Sequence, residues 1–178
     1  MTELTWRYDK KIRRVPDDQV PVGPWTDEPD KIQWIDAETG LDCLIVRNPL
    51  GALCGYVGVP PGHPLYEVDC EPAYEQAYER GVDLHVHGGL TFADRCAPGE
   101  PVEGICHVAA SGATAEPWWL GFDTAHCGDL TPLSSILDEI VVPMMGIQSG
   151  PSRNDTYKDV AYVKNECATL AKQLADVH

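Results

Sequence analysis

At 178 residues the chain has the size of one domain, and 43% hydrophobic content is enough for one core. Its formal charge of -15 is unevenly spread: between Pro49 and Ser152 only Arg80 and Arg95 stand against fourteen Asp and Glu, a surface that repels phosphate backbones and argues against nucleic-acid binding. No apolar run approaches the ~18 residues of a membrane span, and Met1–Trp6 lacks the apolar core of a signal peptide, so a cytoplasmic protein without membrane contact is expected.

The first thirty residues form a predicted extended arm. They alternate charge with Pro16, Pro21, Pro24 and Pro29, and Trp6, Tyr8 and Trp25 would pin the arm to the body, with an edge strand at Thr5–Tyr8. Lys31–Asp36 alternates polar and apolar, Ala37–Gly40 is a turn, and Leu41–Arg47 returns as a second strand. Together they predict a β-hairpin in which Gly40 supplies the positive φ. Ala52–Val59 reads as a third strand, ended by Pro60-Pro61-Gly62-His63-Pro64. Glu71–Arg80 reads as a short helix with Pro72 in its first turn and Gly81 at its end. Val82–Val86 and Leu90–Ala93 read as short strands around Gly88-Gly89, Ala97–Pro117 as a loop with one strand near Ile105–Ala109, and Trp118–Phe122 as a buried strand. Leu133–Val141 has helical character, and Gly146–Asn154 has the composition of a mobile segment.

The C-terminal segment carries the clearest periodicity. Val160, Val163, Cys167, Leu170, Ala171, Leu174 and Val177 recur every three or four residues, as in an amphipathic helix, with Thr156 and Asp159 as a capping pair at its start. The fold class expected is therefore α+β: one domain spanning 1–178, an antiparallel sheet of five or six strands, and a long C-terminal helix across one face. The seven cysteines are odd in number and irregular in spacing, with no Cys-x-x-Cys, and are expected to remain thiols.

Two polar segments carry the candidate chemistry. His85 and His87 alternate in a predicted strand, so their side chains would share a face, and Gly88 and Gly89 follow where the backbone can turn sharply or approach a ligand closely. Asp123, His126 and Asp129 are spaced three apart directly after the buried run Trp118–Phe122, a placement in which a rigid strand aims polar groups into a cleft. His87, Asp123, His126 and Asp129 are the candidate catalytic residues. His85, His87, His126 and Asp123 offer the mixed nitrogen and oxygen set that suits a divalent Zn, Mn or Fe ion, and a metal-bound water would then make hydrolysis the natural chemistry. Without metal, His87 with Asp123 or Asp129 would be a base and its orienting carboxylate. Trp118, Trp119, Gly88 and Gly89 are candidate ligand contacts, with one tryptophan ring forming a pocket wall. Cys127 adjoins His126, but neighbouring side chains point apart, which argues against a Cys/His nucleophile pair.

The strings Gly55-Tyr56-Val57-Gly58-Val59-Pro60, His87-Gly88-Gly89-Leu90-Thr91-Phe92, Trp118–Asp129 and Tyr157–Val163 together resemble an uncharacterised family of bacteriophage and bacterial proteins, over roughly Trp34 to Leu174. The resemblance implies a phage-type accessory protein that binds a host protein or a small molecule, in the host cytoplasm if phage-encoded. It also implies that His87, Asp123, His126 and Asp129 act as one unit. The alternative reading of the same residues is a small metal-dependent hydrolase.

Overall fold

The computed structural model describes residues 3–7, 15–96, 116–138, 142–146 and 155–178. Its frame is a six-stranded antiparallel sheet in the order β1-β2-β3-β4-β6-β5, built from β1 (Leu4–Trp6), β2 (Lys31–Ile35), β3 (Asp42–Arg47), β4 (Leu53–Val59), β5 (Phe92–Asp94) and β6 (Trp118–Asp123). Helix α1 (Cys70–Glu79) lies in the connection between β4 and β5. A two-stranded parallel ladder joins β7 (Asp129–Leu130) to β8 (Thr156–Tyr157), pairing Asp129 with Thr156. Short helices α2 (Pro132–Ile136) and α3 (Val142–Met144) follow β7, and α4 (Val160–Ala175) closes the chain. The α+β class, the antiparallel sheet and the C-terminal helix are as the periodicities predict.

Strand alternation divides the sheet into two faces. Ile32, Cys43, Ile45, Leu53, Val57, Leu120 and Phe122 point to one side and bury themselves against the α4 stripe of Val163, Cys167, Leu170, Ala171 and Leu174. Leu44, Val46, Cys54, Tyr56 and Trp119 form a second buried cluster on the other side. Gly55 makes the close approach of α4 possible. A Cβ at that position would lie 2.5 Å from the Phe122 ring and 2.7 Å from Cys167 Sγ, well inside contact distance. The end of α4 is held from outside: His63 Nε2 donates to the carbonyl of Leu174 at 2.9 Å, while its Nδ1 accepts from the Leu65 N–H at 3.0 Å.

The hairpin turn is built by Asp36, whose Oδ1 accepts from the Thr39 N–H and hydroxyl at 2.9 Å each, and by Gly40 with φ of 76°. The N-terminal arm pairs with β2 through Leu4–Trp6, slightly earlier than predicted, and then makes two 3₁₀ turns at Asp17–Gln19 and Pro24–Thr26. Trp25 is buried and meets Tyr157 edge-on, with ring centroids 5.3 Å apart.

Three local expectations need correction. Residues 82–86 form no strand. The Val82 N–H donates to the Ala77 carbonyl at 2.9 Å, and helix α4 side chains take two further N–H groups here: Gln173 Oε1 accepts from His85 at 2.9 Å and Glu166 Oε2 accepts from His87, the next residue along, at 2.8 Å. Helix α4 starts at Val160, with Asp159 alone as its cap, because Asp159 Oδ1 accepts from the Tyr162 N–H at 2.7 Å while Thr156 belongs to β8. Cys96 is disulfide-bonded, whereas Cys43, Cys54, Cys70, Cys127 and Cys167 are free thiols, so the cysteines are not all reduced. The strand expected near Ile105–Ala109 and most of the segment 146–154 lie outside the described residues. No helix among the described residues is long and apolar enough to cross a membrane.

Candidate functional site

Three pieces of chain meet at the C-terminal end of β6. The first is the Gly88-Gly89 turn, where φ values of 66° and 88° place both residues in the left-handed region that glycine tolerates best. The second is the 123–131 loop. Asp123 Oδ1 accepts from the Ala125 N–H at 2.9 Å, and buried Thr124 donates its hydroxyl to the Leu53 carbonyl at 2.8 Å, so the chain leaves the sheet along a fixed path. The third is the first turn of α4, which supplies Tyr162.

Asp129 sits at the junction. Its side chain is almost wholly buried, and Oδ2 accepts from His87 Nε2 at 2.8 Å and from the His126 N–H at 3.0 Å, while Lys158 Nζ lies 3.5 Å from Oδ1. Burial alone would raise the carboxyl's pKa. The His87 hydrogen bond, the His126 N–H and the charges of His87 and Lys158 outweigh it and hold Asp129 below the usual carboxylate range. An ionised carboxylate can only accept, so His87 Nε2 carries the proton in this pair. In the neutral ring Nδ1 is then an acceptor, and the Tyr162 hydroxyl, 3.0 Å away, is its donor.

His126 is packed differently. Its ring centroid lies 5.5 Å from that of His87, and Nε2 is buried with no hydrogen-bond partner among the described residues. Asp123 Oδ1 is 3.7 Å from that nitrogen, beyond hydrogen-bond reach. The ring rests on Gly88, where any Cβ would come within 1.9 Å of Nε2. A cavity of about 660 Å³ borders the 125–129 loop, with His126, Cys127, Asp129, Leu50, Leu133 and Leu137 in its wall. Thr131 and Ser134, which also line it, are engaged with each other in the capping box of α2.

The structure thus brings His87, His126 and Asp129 together, with Asp123 at the margin. His85 is separate: its exposed ring faces the Gln173 side chain, with Nε2 atoms of the two residues 3.2 Å apart. Both His87 ring nitrogens are already hydrogen-bonded, and no three His, Cys, Asp or Glu side chains among the described residues are arranged to share a metal ion. The set His85, His87, His126 and Asp123 is therefore not assembled as a metal centre in this conformation.

Neither tryptophan lines the cavity. Trp118 begins β6, five residues and roughly 16 Å of strand from Asp123. It donates its ring N–H to the Val68 carbonyl at 3.0 Å, and Trp119 is buried on the sheet's other face. Gly88 touches the His126 ring and Gly89 approaches the Tyr74 hydroxyl, so both serve close packing. Sequence reasoning missed Tyr162, Lys158 and Glu166. One signal was available: Tyr162 and Glu166 are four apart, one helical turn, on the flank of the apolar stripe.

The Asp129 network has a consequence for stability. Because the folded state holds this carboxyl below its unfolded value, its contribution is fully present above about pH 5 and is lost as pH falls through the folded value. Urea unfolding of the wild type and Asp129→Asn at pH 6, 4 and 3 should show the wild type's advantage shrinking with acidification. An advantage constant across that range would contradict the assignment.

Compared with protein-family models, curated proteins and solved structures, the chain matches none.

Proposed function

We propose that this protein binds a small molecule in the cavity beside the His126–Asp129 loop, as a phage-type accessory protein acting in the cytoplasm. One observation carries the reading: a cavity of about 660 Å³, within the size range of small-molecule sites, shares its wall with Asp129 and His126. Leucines supply the apolar surface that drives burial, and the loop supplies a few fixed polar groups that orient what enters. A metal-dependent hydrolase using His87, Asp123, His126 and Asp129 has less support, because His87 has no ring nitrogen left to offer without breaking its bonds to Tyr162 or Asp129.

Methyl-labelled protein titrated with a library of amphipathic aromatic and amine fragments tests the reading. Binders should shift the methyl resonances of Leu50, Leu133 and Leu137 together. Leu137 is 45% exposed, so Leu137→Trp can fill the cavity at little cost to the fold. It should abolish those shifts while moving Tm by no more than about 2 °C. Fragments that leave the three leucines unperturbed, or that bind Leu137→Trp as well as wild type, would overturn the proposal.

A further inference from the structure

Tyr162, His87 and Asp129 stand in one line. The Tyr162 hydroxyl donates to His87 Nδ1 at 3.0 Å, and the opposite ring nitrogen, Nε2, donates to Asp129 Oδ2 at 2.8 Å. Tyrosine and histidine rings meet edge-on, 89° apart with centroids at 5.5 Å. This is the connectivity of a nucleophile, its base and an orienting carboxylate, recognised by roles and geometry rather than by residue order. The carboxylate is nearly buried and the imidazole largely so, while Tyr162 is 37% exposed, so the chain of hydrogen bonds leads from the interior to solvent. Lys158 sets its ammonium over the Tyr162 ring, 5.4 Å from its centre.

We infer that Tyr162 is a nucleophile for activated carboxylic esters, with His87 as its general base and Asp129 as the positioning carboxylate. Asp129 is shared with the cavity wall while Tyr162 and His87 are not, so acetylation of Tyr162 and the leucine shifts of a bound fragment report the two proposals separately. The Oη–C bond forms as the Oη–H proton passes to His87 Nδ1. The bond from the acyl carbon to the leaving oxygen then breaks and that oxygen takes the electron pair; an alkoxide also takes the proton from His87, whereas p-nitrophenoxide departs as the anion and His87 releases its proton to bulk water. Asp129 stabilises the imidazolium in between. Burial, Glu166 and Asp129 raise the pKa of the phenol, so free phenolate is scarce and attack depends on proton transfer at the moment of bond formation.

The experiment uses the full chain and p-nitrophenyl acetate, with acetylated sites located by peptide mass spectrometry. Tyr78 is the internal control, since it is 76% exposed. By exposure alone Tyr78 should react faster. The triad predicts the reverse, with Tyr162 acetylated about 100-fold faster, the low end of what a positioned base contributes. His87→Gln should bring Tyr162 down to the Tyr78 rate, with native circular dichroism confirming that the fold survives. Asp129 has a readout of its own. In wild type the ¹⁵N shifts of the His87 ring should report a single Nε2–H tautomer, and Asp129→Ala should give a mixture of the two. Acetyl groups confined to Cys127 or lysines, a Tyr162 rate at or below that of Tyr78, or a rate indifferent to His87→Gln would each overturn the assignment.

Discussion

Arg47→Ala should lower the free energy of unfolding by about 3–5 kcal/mol, the usual cost of breaking a fully buried ion pair from one side. Arg47 lies on β3 with its side chain wholly excluded from solvent. Nε donates to Asp30 Oδ1 at 2.6 Å, Nη1 to the Gly51 carbonyl at 2.8 Å and to the Tyr157 hydroxyl at 3.1 Å, and Nη2 to Glu28 Oε2 at 3.3 Å. Tyr157 donates to the same Glu28 carboxylate, whose other oxygen accepts from the Val160 N–H at 2.9 Å. One guanidinium therefore fastens the N-terminal arm, the sheet, β8 and the start of α4 to each other. Removing it leaves Asp30 buried and charged with its principal counter-ion gone. Adding Asp30→Asn to Arg47→Ala should recover about 1–3 kcal/mol, because the buried carboxylate that faced the guanidinium is gone as well. Arg47→Lys should not restore wild-type stability, since an ammonium lacks the planar fork that meets several acceptors at once. Urea unfolding of the four proteins decides the matter. A loss below about 1 kcal/mol for Arg47→Ala would mean that the network is dispensable.

That network was invisible in the sequence for a physical reason. Arg47 closes a strand whose alternation is read from Cys43 and Ile45, and nothing local says whether a terminal arginine is buried or solvated. Its partners come from positions 28, 30, 51 and 157, and only folding makes them neighbours. The hairpin, β4, β6 and α4 were legible because each is set by short-range periodicity with a turn or cap at its end. Residues 82–86 were misread because nothing in their local pattern tells a strand from a segment such as this one, in which His85 donates to a helix side chain rather than to a neighbouring strand. The same division holds at the site. His126 and Asp129 are three apart, so their association is local, and the short Gly88-Gly89 turn marked where His87 would approach them. Tyr162 lies in the first turn of α4 and Lys158 between β8 and that helix, far along the chain from Asp129, and their arrival depends on β8 pairing with β7. The tryptophans were assigned to the pocket on their proximity in sequence to Asp123, but a strand carries its first residue away from its last.

Gly88→Ala should be the most damaging single-methyl change at the site, costing about 2–4 kcal/mol and displacing His126. Two independent terms contribute. The backbone at Gly88 has φ of 66°, where a residue with a side chain pays about 1–2 kcal/mol. The added Cβ would also fall 1.9 Å from His126 Nε2 and 2.1 Å from Cδ2, so the imidazole must move, at the 1–3 kcal/mol typical of overpacking. The ring has little choice of direction, because the His126 N–H is tied to Asp129 and the loop is pinned by Thr124. Gly40→Ala isolates the first term: its φ is 76°, and a Cβ there meets nothing within 4 Å. It should cost only the backbone strain, about 1 kcal/mol, and leave the site untouched. The informative comparison is Gly88→Ala in a His126→Ala background, where the steric term disappears. If the two residues are in contact as described, the double variant should be more stable than the sum of the single losses by about 1–3 kcal/mol. Strict additivity would place His126 away from Gly88 and dissolve the contact that sets its ring beside His87.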